Sequence, residues 1–158
     1  MIPRPRQKKF HKINVIVEKA ADRYPGGRAL RKAALLTLEM EGVKKRFTID
    51  ILITGNKRIK DLNYRFLGKN SPTDVISFEL KDITYPNRIS KECLGEVAIS
   101  CEMAVRQARR FGTSLKEETL LYVIHGVLHL LGYRDKSKRD RRLMEARQKK
   151  ILERTCAT

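Results

Sequence analysis

The stretch V-I-H-G-V-L-H-L-L-G-Y-R-D, Val123 to Asp135, decides how the rest of the chain is read. His125 and His129 are four residues apart, so on a helix their imidazoles share one face, one turn apart. That spacing suits two nitrogen ligands of a single metal ion. Gly132 tolerates the left-handed conformation common just past a last helical turn, so the helix can stop there. The chain can then turn and bring Asp135, a hard oxygen donor, back to the same ion. Two imidazoles and a carboxylate leave at least one coordination position open, as in catalytic rather than structural zinc sites. The bland alternative is a pair of satisfied core histidines followed by an aspartate that caps a helix. The chain has three histidines, and two of them fall at ligand spacing with a glycine and an acid behind them, which favours the metal.

Working outward, Ser114-Leu115-Lys116-Glu117 fits a capping box and opens the helix that carries the histidines. Before it, Leu94 to Ser100 reads as a strand running into a helix that ends near Phe111-Gly112. Asp74 to Leu80 reads as another strand, led in by the loop Gly68 to Pro72 and followed by a polar connection from Lys81 to Glu92. Phe47 to Thr54 is a strand ended by Gly55-Asn56, with Asn56 placed to cap a helix from Lys57 to Phe66. Its inner face would be Ile59, Leu62 and Phe66. Arg28 to Met40 has the spacing of a helix with Leu30, Ala33, Ala34, Leu36 and Leu38 as apolar positions, closed by Gly42. Ile13 to Val17 is rich in β-branched residues and reads as the first strand. After Asp135 a basic helix runs from about Ser137 to Arg154, with Leu143, Ala146, Ile151 and Leu152 as its apolar positions. The expected fold is α/β (α+β): one layered domain over residues 13–158, a four-stranded sheet with about five helices, and the metal site on a central helix. Residues 1–12 form a basic N-terminal arm.

The 158 residues suit one domain with a single core. Thirty-five basic residues against eighteen acidic ones give a formal charge of +17, which favours a polyanion, nucleic acid above all. Apolar runs are far too short to span a membrane, and the N-terminus lacks the apolar stretch of a secretory signal. Cys93, Cys101 and Cys156 form no disulfide framework, so free thiols and a cytoplasmic location are expected.

A metal beside these residues can turn water into a nucleophile. Peptidases of the H-E-x-x-H kind place a glutamate directly after the first histidine. Here that position is Gly126, which argues against peptide hydrolysis. Between Arg134 and Arg154 ten basic residues stand against four acidic ones. Such a run is ordinarily a solvated helix face. Because it begins beside the proposed metal, it can also guide a phosphate backbone toward that ion. Metal-assisted cleavage of a phosphodiester is the consistent outcome.

At this point the residues resemble the YbeY-type endoribonucleases, or ribosomal RNA maturation factors. H-G-V-L-H-L-L-G-Y is close to the family's helix signature. P-T-D-V-I-S-F (Pro72 to Phe78), preceded by D-L-N (Asp61 to Asn63) and G-K-N (Gly68 to Asn70), is similar as well. So is L-G-E-V-A-I-S (Leu94 to Ser100), where the family commonly has L-G-D. The three motifs occur in the family's order from roughly residue 50 onward. The resemblance implies a zinc-type divalent ion on His125 and His129, and cleavage of single-stranded RNA in small-subunit ribosomal RNA maturation and ribosome quality control. The partners it implies are ribosomal RNA and the small ribosomal subunit.

Two departures stand out. The family's third histidine falls on Asp135, which keeps a donor but lowers the site's charge, and the aspartate before it falls on Arg134. The arginine that the family has before Gly-Lys falls on Leu67. Arg65, Lys69, Arg134 and Lys136 are the candidate RNA contacts, and Thr73, Asp74 and Ser77 are candidate groove residues. No residue reads as the general base; Glu96, on a strand, can face either the site or solvent. The competing reading is a non-catalytic RNA-binding ribosome-assembly factor with a structural metal, favoured by Leu67 and Asp135.

Overall fold

The structure, a computed structural model, describes residues 10–79 and 92–157. In chain order the elements are β1 (Lys12–Val17), α1 (Gly27–Met40), β2 (Thr48–Thr54), α2 (Asn56–Leu67), β3 (Val75–Glu79), β4 (Cys93–Ser100), α3 (Cys101–Phe111), α4 (Leu115–Leu130) and α5 (Lys138–Ala157). Among the described residues, four strands and five helices match the expected α/β domain. Most of the basic arm and nearly all of the connection from Lys81 to Glu92 lie outside the described residues.

The sheet order is β1-β2-β4-β3. β1, β2 and β4 run parallel, and β3 pairs antiparallel along β4. Alternation along the strands sends Ile49, Ile51, Ile53, Val97 and Ile99 to one face, where they form the main core with α1, α4 and α5. The opposite face carries Leu52, Ala98, Ile76 and Phe78 under Ile59 and Leu62 of α2. Phe66 is more exposed than its spacing suggested, but its ring packs on Phe78 with centroids 4.6 Å apart.

Three local readings need correction. Asn56 is the first residue of α2 rather than its cap; Gly55 takes the cap position, and the Asn56 N–H donates to Glu102 Oε1 of α3 at 2.9 Å. In α1 the face toward the core includes Thr37, whose hydroxyl donates to the Ala33 carbonyl, while Leu36 is only half-buried. On α5 the expected face holds only in its second half: Ile151 is buried and Leu152 packs on the core as expected, but Leu143 is 62 % exposed and Ala146 is exposed, and Met144 and Thr155 are buried instead. Gln148 and Arg147 share that inner side, so polar residues with specific partners hide the amphipathic stripe.

Capping at both ends positions α4. Ser114 accepts from the Glu117 N–H while the Glu117 carboxylate accepts from the Ser114 N–H, the expected capping box. At the other end the Gly132 N–H donates to the His129 carbonyl and the Tyr133 N–H to the Leu128 carbonyl, with Gly132 at φ +100°. This is a Schellman termination, and glycine supplies the positive φ it needs. α4 also lies very close to the sheet. A Cβ on Gly126 would sit 2.5 Å from Val97 Cγ1, so glycine is the residue that permits this approach.

Candidate metal centre

Three side chains converge at the end of α4, two from one face of the helix and one from the link that follows it. His125 and His129 project from one helix face, and their Nε2 atoms stand 3.0 Å apart. The seven-residue link from Leu131 to Ser137 is fixed by the Schellman turn at one end. At the other, the Ser137 hydroxyl accepts from the Asp140 N–H and caps α5. Between these anchors Asp135 Oδ2 comes to 3.4 Å from His129 Nε2 and 4.0 Å from His125 Nε2.

Each imidazole is oriented through its other nitrogen. His129 Nδ1 lies 2.9 Å from the Tyr133 carbonyl, which can only accept, so Nδ1 carries the proton and Nε2 carries the lone pair. His125 Nδ1 lies 2.6 Å from Gln148 Oε1 of α5, with the same consequence. Two ring lone pairs then face each other and a carboxylate oxygen, an arrangement that is repulsive unless a cation lies among them. Ligand atoms of a tetrahedral zinc ion with bonds near 2.0 Å are roughly 3.3 Å apart. The donor types, their spacing and the outer hydrogen bonds therefore fit a divalent ion. Burial lowers the His125 pKa from its ordinary value, outweighing the hydrogen bond to Gln148 that acts to raise it. That favours the neutral ring a metal requires. His11, by contrast, is structural: it accepts from the Phe47 N–H and bonds the Val43 carbonyl.

A second layer stiffens the loop. The Tyr133 hydroxyl donates to Glu41 Oε2 at 2.7 Å, and Arg147 of α5 binds Glu41 Oε1 and the Met40 carbonyl at the end of α1. Neither Glu41 nor Gln148 was visible in the sequence as a site residue, because Glu41 reaches the loop from the end of α1 and Gln148 reaches His125 from α5. Glutamine three turns into a basic helix carries no signal of its own.

The three candidate ligands open into a groove of about 660 Å³ between the β3 edge, the α2–β3 loop and the α4–α5 link. Lys69, Arg134, Lys136, Thr73, Asp74 and Ser77 border it, as does Leu67, which is 57 % exposed. Arg65 is exposed on α2 and does not border the groove. Buried Asn63 donates to the Ser71 carbonyl at 2.8 Å and so holds the loop that carries Lys69.

The three groove residues also have local work. Thr73 donates to Asp74 Oδ1, which accepts from the Val75 N–H and starts the strand. Ser77 donates to the Gly126 carbonyl and ties β3 to α4. Glu96 pairs with Phe78 on the α2 face of the sheet, where Asp50 and Arg58 act on it, so it faces away from the metal centre.

Comparison with known proteins agrees with this geometry. The sequence profile of the family Endoribonuclease YbeY matches residues 18–156. The protein named Endoribonuclease YbeY from Roseiflexus sp. (strain RS-1) is 37 % identical over 146 residues, 89 % of each chain. Its namesake from Sulfurihydrogenibium sp. (strain YO3AOP1) is 41 % identical over 111 residues, 68 % of this chain and 70 % of that one. Among solved structures, the solution structure of TM1509 from Thermotoga maritima superposes with a TM-score of 0.61 at 26 % identity, covering 90 % of this chain and 88 % of that one. With the profile spanning nearly every described element and the histidine helix intact, the chain belongs to the Endoribonuclease YbeY family.

Proposed function

We propose that this protein is a metal-dependent endoribonuclease that cleaves single-stranded RNA in the maturation and quality control of small-subunit ribosomal RNA. The observation that carries the reading is the meeting of two oriented Nε2 lone pairs and Asp135 Oδ2 at the floor of an open groove. Family membership supports the endoribonuclease activity, since the relatives bear that name. His125, His129 and Asp135 would hold a divalent ion, zinc suiting the donor set, and that ion would supply Lewis acidity toward a phosphoryl oxygen and lower the pKa of water. The chain's own residues do the rest. Lys69, Arg134 and Lys136 border the groove at positions suited to phosphate oxygens. β3 and the α2–β3 loop form the wall along which a single strand lies. No helix among the described residues is long and apolar enough to cross a membrane.

A non-catalytic ribosome-assembly factor with a structural metal is the second reading. Leu67 favours it, because an exposed apolar side chain occupies the groove wall where a cation would grip the backbone. Metal content and cleavage of single-stranded RNA, measured on the parent and on His129→Ala, separate the two. Loss of metal together with cleavage in the variant is the expected result. A parent that carries metal but cuts no faster than a mock preparation establishes the assembly-factor reading.

A further inference from the structure

The positive charge of this protein is not concentrated where the chemistry is. Bordering the metal groove, Lys69, Arg134 and Lys136 are balanced by Asp74, Glu79 and Asp135. A divalent ion would supply that groove's whole surplus. Yet the chain carries a formal charge of +17. The surplus lies elsewhere, and one part of it is gathered into a shaped surface.

α1 and the C-terminal half of α5 enclose a second groove of about 610 Å³. Arg28, Arg31 and Lys32 of α1 and Arg154 of α5 border it, with Glu39 as its one acid, and Leu35 and Leu36 form an apolar floor. Among the described residues Arg28 and Lys32 make no hydrogen bond or ion pair. Arg31 gives only its Nε proton, to the Ile13 carbonyl at 3.3 Å, which aims its guanidinium without neutralising it. Cations crowded on one helix face repel each other, a cost that a bound anion reverses. Three cations at the N-terminal end of α1 beside an apolar floor suit a chain that carries both charged phosphates and less polar sugars and bases. They do not suit a discrete small anion, which needs convergent buried donors.

We propose that the α1–α5 groove is a second RNA-binding surface, an exosite that holds the phosphate backbone of the substrate away from the cleavage centre. The identity of the occupant rests on the RNA-cleaving reading above. α1 has 14 residues, and its C-terminal end touches the metal loop through Glu41 and Tyr133. At 1.5 Å per residue, Arg28 stands on the order of 20 Å from that contact. An RNA must therefore exceed a few nucleotides to engage both surfaces. The division of labour follows: the exosite supplies salt-sensitive affinity, and the nearly balanced metal groove supplies orientation and chemistry.

The test compares two double variants of the full chain with equal charge loss: Arg28→Gln with Lys32→Gln, and Arg106→Gln with Arg109→Gln on the exposed face of α3. Glutamine keeps helix propensity, so both pairs fold. Binding of a long single-stranded polyuridylate is followed by fluorescence anisotropy across salt concentrations, and cleavage of a uridine trinucleotide is followed in parallel. The expected result is weaker polyuridylate binding for the α1 pair alone. Its log–log salt slope becomes shallower by about 1.4, the value for two lost phosphate contacts on a single strand. Trinucleotide cleavage stays at the parental rate. Equal losses in both pairs, or no loss in either, overturn the exosite. So does displacement of polyuridylate by polyglutamate at matched charge, which assigns the groove to an acidic protein instead. If the parent binds RNA but cuts none, the cleavage reading falls while the difference between the two pairs still decides the exosite.

Discussion

The Nδ1 proton of His129 is held by the carbonyl oxygen of Tyr133, 2.9 Å away and four residues on. That carbonyl is free to accept because the Schellman turn has already ended the helix: the Tyr133 N–H bonds back to Leu128, and its C=O points toward the last turn. The turn that stops α4 therefore also sets the tautomer of its second histidine. Backbone fixes one imidazole, and a side chain from another helix fixes the other.

That asymmetry makes Gln148 the exposed point of the centre. Gln148→Ala removes the acceptor for His125 Nδ1, leaving the ring free to rotate and to exchange tautomers. Metal affinity is expected to fall about 10- to 100-fold, the usual effect of losing such an outer partner. Competition against a chromophoric chelator measures it. Gln148→Glu keeps an acceptor at the same reach and should restore most of the affinity. Unchanged affinity in the alanine variant would show that the helix alone aims His125.

The brace at Glu41 predicts a stability effect. Its carboxylate takes the Tyr133 hydroxyl and the Arg147 guanidinium, and it is largely shielded from solvent. Glu41→Gln should cost about 1.5–3 kcal/mol, the range for hydrogen bonds to a charged group. Tyr133→Phe should cost about 1 kcal/mol, since it removes one bond and leaves the ion pair. Urea denaturation of the singles and the double gives the coupling, which is expected to be non-additive because the two share one carboxylate. Additive losses would mean that the Tyr133 hydroxyl and the Glu41 carboxylate do not interact in solution.

How far the sequence reaches is set by the range of the contacts. His125, His129, Gly132 and Asp135 were readable because helix geometry and one turn relate them within eleven residues. The strands were readable because alternation and β-branching are local. Gln148 and Glu41 were not, since they reach the site from α5 and α1 at separations of 23 and 92 residues along the chain. The first half of the α5 face was misassigned for a related reason. Arg147 and Gln148 point inward to partners that periodicity cannot foresee, leaving Leu143 and Ala146 outside. Asn56 failed as a cap because its side-chain oxygen accepts from the Ser100 hydroxyl at 2.5 Å, while the Glu102 carboxylate of a later helix takes the N–H at the start of α2.

Glu96 predicts a dependence on pH that is separate from the metal. Burial, and then the charge of Asp50, raise its pKa above the ordinary 4.5, and Arg58 offsets this only in part. The folded state thus holds a proton on Glu96 that the unfolded state has released, so stability contributed below pH 4.5 is lost as pH rises through the folded value. Glu96→Gln should raise the urea midpoint at pH 7. The gain should shrink as pH falls and vanish below about 4.5, where both states of the parent are protonated. A gain independent of pH would point to packing rather than to charge.

Gly126 is the position where histidine chemistry and sheet packing meet. Its added Cβ would lie 2.5 Å from Val97 Cγ1, 2.9 Å from Val97 Cγ2 and 3.1 Å from Ser77 Oγ, and Val97 is fully buried with nowhere to move. Gly126→Ala should therefore destabilise by about 1–3 kcal/mol, as overpacking does, despite alanine's better helix propensity. Trimming the obstacle tests the cause. Val97→Ala should weaken the parent, because it leaves a cavity, but should recover part of the loss in the Gly126→Ala background, where the two methyl groups are what the new Cβ strikes. Thermal denaturation of the four proteins reads that sign directly. The same clash explains why the position after the first histidine cannot hold the glutamate of a peptidase here: a side chain there meets the sheet.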